Sequence, residues 1–128
     1  MLLVTHEGIG AQLVAVADAI IKQGMAPIIQ ISVHADLEPV ELGKFADLIR
    51  DIIHQQDHGD GVLVLTDIFG ATPDNLARYF SQDRNARVIS GINLPMLLRV
   101  LIYATQSLEQ LCETACIGGI AGIQKGKE

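Results

Sequence analysis

Four of the five residues from Val62 to Thr66 are aliphatic, and none is charged. A strand with one face in water would alternate apolar and polar side chains. This one has to be covered on both faces, as strands of parallel sheets between helical layers are. The rest of the chain fits that requirement. Strand-like runs at Leu2–Thr5, Ile28–Val33, Val62–Thr66 and Arg87–Ser90 alternate with helix-like segments. In the first of these, from Ile9 to a stop at Gly24, the positions Ile9, Leu13, Val16, Ala17 and Ile20 trace an apolar face. The second opens near Glu38 with Pro39 in its first turn and turns Phe45, Leu48, Ile49, Ile52 and Ile53 to one side. Thr72-Pro73 reads as an N-cap followed by proline at the first helical position. Asn93-Leu94-Pro95 opens another helix, running to about Ala104, and Ser107 caps the last, with Leu108, Leu111, Cys112 and Ala115 inward. The Gly-rich stretch Ile117–Lys125 reads as a final, loosely specified strand.

This order predicts a single α/β domain over residues 1–128. It is an open, doubly wound, mostly parallel sheet in strand order 2-1-3-4 with helices on both faces. In such sheets ligands sit beyond the carboxyl ends of the strands, where the strand order reverses. His6 follows the first strand and Asp67 the third, so the two face each other across that crevice.

Composition removes several function classes. The 128 residues carry nine Lys+Arg against fifteen Asp+Glu, a net charge of −6, and only five aromatic residues, none of them Trp. Neither a basic footprint nor a set of stacking platforms for nucleic acid is present. The uncharged stretch Val88–Leu98 is short and broken by Gly91, Asn93 and Pro95, so no membrane insertion is expected. Met1–Val4 lacks the basic flank of a signal peptide. Two cysteines do not make a disulfide framework, and a cytoplasmic location follows as the expectation.

His6 is suited to nucleophilic chemistry if one ring nitrogen holds the proton and the other is free. A carboxylate such as Asp67 accepting that N–H would fix the tautomer and support the developing positive charge. Taken alone, Asp67 also reads as an Asx-turn residue. The small-residue turn Gly70-Ala71-Thr72 running into a helix offers amide donors and the positive end of a helix dipole, as a phosphoryl group requires. From spacing alone, an ordinary capped helix start is the better reading of those three residues. Neither a Walker A motif nor a complete G-x-G-x-x-G is present. His54 and His58 have the spacing of a helical metal pair, but no third ligand is evident, so no metal is expected. The stretch Met96–Ile102, apolar nearly all round, reads as a subunit contact.

The blocks Val4-Thr5-His6, Gly61 to Asn75 and Ser90 to Leu97 together resemble the mannose-family enzyme IIA domain of the bacterial sugar phosphotransferase system. The resemblance implies a phosphotransferase in which His6 accepts phosphate from the phosphocarrier protein HPr and passes it to an enzyme IIB. Asp67 would pair with that imidazole, and Gly70, Ala71 and Thr72 would cradle the phosphoryl group, with no cofactor. It also implies a homodimer in which a C-terminal strand, here Ile117–Lys125, crosses to the partner's sheet. Many members have Gly-Gly-Ser or Gly-Gly-Thr where this chain has Gly70-Ala71-Thr72. The first strand is short before His6, and no IIB domain is attached, so the onward acceptor is expected on a separate chain.

Four other readings are compatible with parts of the pattern. One is a regulatory domain of this kind whose phosphorylation state another protein reads, without sugar transport. The phosphotransfer subunit of a dihydroxyacetone kinase shares the fold and a histidine at this place. A receiver domain needs an acidic pair after its first strand, where Thr5-His6-Glu7 supplies one carboxylate. A flavin module wants a hydroxyl-rich loop that His6–Gly10 lacks.

Overall fold

The computed structural model describes residues 1–22, 24–34, 36–82 and 84–126. The elements run β1 (Leu2–His6), α1 (Ile9–Ile21), β2 (Ile29–Val33), α2 (Pro39–Gln56), β3 (Val62–Thr66), α3 (Thr72–Ser81), β4 (Ala86–Ser90), α4 (Leu94–Ile102) and α5 (Leu108–Ala121). The four strands form one sheet in the order β2-β1-β3-β4, and every pairing is parallel. The expected α/β class and strand order are both present.

The period of two along each strand sorts the core into two layers. Leu2, Val4, Val62 and Val64 point to one face, where Ile49, Ile52 and Ile53 of α2 and Ala77 of α3 cover them. Leu3, Leu63 and Leu65 point to the other, beneath Ala17 of α1, Met96, Leu97, Val100 and Leu101 of α4, and Leu108 and Ala115 of α5. β3 is buried along its whole length because it has a helical layer on each side.

Three expectations are corrected. First, α1 turns a different face inward. Gly10 and Ala17 are buried and Leu13, Val14 and Ile21 pack on the core, whereas Ile9, Val16 and Ile20 are 43–52% exposed. The helix is apolar around most of its circumference, so periodicity alone does not set its phase. Gly10 does: a Cβ there would lie 2.9 Å from the Thr5 hydroxyl, which allows the helix to seat directly on β1.

Second, α4 is a core helix. Met96, Leu97, Val100 and Leu101 are buried in the layer shared with α1 and α5, while Ile102 at the end of the helix is 68% exposed.

Third, no C-terminal strand forms among the described residues. Ile117 to Ala121 continue α5, and residues 123–126 are irregular. The glycines that suggest a loose strand are close-packing positions of a helix. A Cβ on Gly118 would lie 2.7 Å from Arg99 Cβ, and one on Gly119 would lie 2.8 Å from Met96 Cε. Gly122 leaves the same kind of room for Pro95. Gly118→Val is therefore expected to destabilise the fold by about 1–3 kcal/mol through overpacking against α4. A denaturant midpoint at or above the wild-type value would contradict this packing.

Candidate functional site

The site is built at the carboxyl ends of β1 and β3, where two buried threonines close the strands. Thr5 Oγ1 accepts the Gly10 amide (3.0 Å) and donates to the His6 carbonyl (3.0 Å). The start of α1 is thereby tied to the backbone of His6. Gly8 turns the chain into α1 with a φ of 91°, a left-handed conformation suited to glycine. At the end of β3, Thr66 Oγ1 donates to the Asp74 carboxylate at 2.6 Å, and the following residue, Asp67, faces His6.

Asp67 holds His6 twice through one oxygen. Asp67 Oδ2 accepts the His6 amide at 3.0 Å and lies 2.7 Å from His6 Nδ1. Its other oxygen accepts the Ile68 amide at 3.1 Å. A carboxylate only accepts, so the ring proton sits on Nδ1. Nε2 is left with a free lone pair and has no partner among the described residues. The His6 ring is 35% exposed while the Asp67 side chain is 8% exposed, so the ring is open and its anchor is buried. Burial pushes the Asp67 carboxyl up, but the His6 amide, the ring hydrogen bond and the imidazole charge outweigh it, and the net shift is down.

Gly70, Ala71 and Thr72 lie in the loop that follows, as expected, with two differences. Ala71 is the N-cap and Thr72 is the first helical residue, so Thr72 caps nothing. No side chain caps α3; instead Asp74 Oδ2 reaches back to accept the Gly70 amide at 3.0 Å, while Asn75 Nδ2 donates to the Gly70 carbonyl at 3.0 Å. The amide of Gly70 is thus engaged, and what this residue supplies is its φ of 85°. The Ala71 amide makes only a long 3.4 Å bond to the Ile68 carbonyl. The Thr72 amide and hydroxyl have no partner among the described residues. The open donors of the turn therefore belong to Ala71 and Thr72, at the N-terminus of α3.

Asp74 is absent from the sequence-based set, as are Arg78 and Ser90. The side chain of Asp74 is fully buried. Besides Thr66 and Gly70 it accepts from Ser90 Oγ (2.6 Å) and Arg78 Nε (2.9 Å). Burial alone would raise its pKa, but the Ser90, Thr66, Gly70 and Arg78 hydrogen bonds together hold it at about 2. The acidic residue in the first turn of α3, with an arginine four positions on, was the available sequence signal.

Both carboxyls lie below their usual value of 3.8 in the folded chain, so the unfolded chain binds more protons around pH 3–4. Their contribution is complete above pH 4 and is lost as pH falls toward 2. Asp74→Asn is expected to flatten that loss by about 1 kcal/mol between pH 5 and pH 3, read from denaturant unfolding at the two pH values. An acid limb as steep as that of the wild type would contradict this.

The remaining polar candidates lie apart from this cluster. His34 Nδ1 lies 3.0 Å from Glu7 Oε2 in an exposed pair. His54 sits in the last turn of α2, and among the described residues no group of three or more His, Cys, Asp or Glu side chains converges to hold a metal. Both cysteines are free; Cys112 is half-buried against the α4–α5 core and Cys116 is exposed. No helix among the described residues is long and apolar enough to cross a membrane.

Comparison with known proteins agrees with this fold. The chain superposes on the mannose/sorbose-specific IIA subunit of the phosphotransferase system from Enterococcus faecalis with a TM-score of 0.84 at 21% identity, covering 99% of this chain and 93% of that one. It also superposes on phosphotransferase system component EIIA from Streptococcus agalactiae with a TM-score of 0.77 at 22% identity, covering 97% and 94%. Identities this low speak for the fold. In sequence, the chain is 41% identical over 59 residues to the PTS system fructose-specific EIIA component of Bacillus subtilis (strain 168), a match to 45% of this chain. The curated relatives it matches are longer, and the matched stretches span 38% of their length. The family model EIIA-man, described as PTS system fructose IIA component, matches residues 1–116. With nearly the whole chain matched, and the fold shared with phosphotransferase-system IIA proteins, this chain belongs to the EIIA-man family.

Proposed function

We propose that this protein is a phosphohistidine carrier of the sugar phosphotransferase system, taking a phosphoryl group from phosphorylated HPr on His6 and passing it to an enzyme IIB. The observation that carries this reading is the 2.7 Å contact between His6 Nδ1 and Asp67 Oδ2, which leaves Nε2 free on an open ring. In the forward step the Nε2 lone pair attacks phosphorus in line. The donor's P–N bond breaks, and its electron pair returns to the donor imidazole. Asp67 keeps the proton on Nδ1 and offsets the positive charge that develops on the ring. The Ala71 and Thr72 amides, the Thr72 hydroxyl and the N-terminus of α3 stabilise the equatorial oxygens of the transferring group, while Gly70 shapes the turn. Positioning and charge carry such a transfer, and it calls for no resident metal or cofactor.

HPr and the IIB component are proposed as the partners that meet this carrier in the cytoplasm. The chain's charge of −6 favours a basic docking surface on them and acts mainly on the rate of encounter. A homodimer is proposed as well, supported by Ile117, Ile120 and Ile123, which are 60–76% exposed along the C-terminal end.

The test is mass mapping of the modified residue after incubation with phosphoenolpyruvate, enzyme I and HPr. One acid-labile, base-stable phosphoryl group on the peptide containing His6 is expected. Label on an aspartate, or none, would sink the proposal.

A further inference from the structure

We propose that Asp74 is a positioning residue for phosphoryl transfer: it holds the Gly70–Thr72 turn in place beside His6 without touching the reacting atoms. The inference rests on the phosphoryl-carrier reading above. Its basis is a carboxylate with no solvent exposure on which four separate segments converge. Thr66 reaches it from the end of β3 and Ser90 from the end of β4, both at 2.6 Å. The Gly70 amide reaches it from the turn at 3.0 Å, and Arg78 from the next turn of α3 at 2.9 Å. Stability alone is a weak reason for such a group, because removing a carboxylate from water is costly even when it is paired, here with a half-exposed arginine.

The arrangement does have a geometric consequence. Thr66 immediately precedes Asp67, the anchor of the His6 ring, so one carboxylate links that anchor's strand to the turn that would receive the phosphoryl oxygens. By occupying the Gly70 amide, Asp74 directs the turn's free donors to Ala71 and Thr72. Arg78 balances its charge, so the hub places no net negative charge near an incoming phosphoryl group. Arg78 also donates to Ser90 Oγ, and its guanidinium lies 5.0 Å from the centroid of the largely exposed Phe69 ring, a further contact with the same loop.

Asp74→Asn tests this because it keeps the shape, turns one acceptor oxygen into a donor and removes the charge. An amide NH2 facing the Gly70 amide and Arg78 would oppose two donors, and one facing the Thr66 and Ser90 hydroxyls would force both to turn and accept; in either case the charge that Arg78 balances is lost. Transfer from phosphorylated HPr is measured over a range of donor concentrations, with Ser90→Ala as a milder second variant that removes one donor. The expected result for Asp74→Asn is a kcat roughly 10- to 100-fold lower with KM within about twofold of wild type, the pattern of a misplaced catalytic group. Ser90→Ala is expected to lose kcat by a few-fold, again with KM unchanged.

Wild-type kcat in Asp74→Asn, or a loss confined to KM, overturns the inference. If Asp74→Asn fails to fold, Ser90→Ala decides by the same split. Wild-type protein that takes no label on His6 defeats the carrier proposal, and this one with it. Labelled wild type with an unimpaired Asp74→Asn defeats this inference alone.

Discussion

His6→Ala is expected to take up no phosphoryl group from HPr while keeping its fold. Among the described residues, the ring is the only imidazole at the junction of β1 and β3. His34 makes the sharpest internal comparison. It follows β2 at the same edge of the sheet and pairs through Nδ1 with Glu7, much as His6 pairs with Asp67. Its partner is 67% exposed, however, where Asp67 is 8% exposed, and an exposed pair of that kind orients a ring weakly. His34 should therefore stay unlabelled when His6 is removed. The structural cost of the substitution should be near 1 kcal/mol, because Asp67 loses the ring but keeps the backbone amides of residues 6 and 68. Intact-mass labelling beside a thermal melt checks both halves. Full labelling of a folded His6→Ala chain would refute the assignment.

Where one physical cause dominated, the sequence was readable. The apolar run of β3 demanded cover on both faces, and with alternating units that is enough for a parallel sheet and for a crevice shared by His6 and Asp67. It was less readable where two causes compete. In α1, apolar residues surround the helix, and the phase is chosen by a single close approach of Gly10 to Thr5, a contact invisible without coordinates. The glycines after Ile117 carry no pattern that separates a loose strand from a helix pressed against a neighbour, and only the position of α4 decides between them. Asp74 escaped because its partners Thr66, Gly70, Arg78 and Ser90 are scattered over 25 positions. Each looks ordinary alone, and they become a unit only when β3, β4 and α3 meet. The resemblance to a known family pointed to His6, Asp67 and the turn, but it carried nothing about which of the turn's amides are free.

Asp67→Asn is expected to slow phosphoryl transfer by roughly 10²–10⁴-fold while leaving His6 as the labelled residue. In the native site one oxygen accepts both the His6 amide and the Nδ1 proton, and the other accepts the Ile68 amide. Asparagine has a single oxygen to offer. If that oxygen faces His6, the amide NH2 is pressed against the Ile68 N–H. If the NH2 faces His6, it opposes the backbone amide and drives the ring proton onto Nε2, the nitrogen that must attack. In both orientations the negative charge that offsets the phosphorylated ring is gone. Asp67→Ala removes the anchor altogether and should be as slow, with the ring free to rotate. Single-turnover transfer from phosphorylated HPr reads the rate, and mass mapping after long incubation confirms that the label still arrives on His6. Wild-type rates in both variants would reduce Asp67 to a turn residue, and the 2.7 Å contact would then say nothing about catalysis.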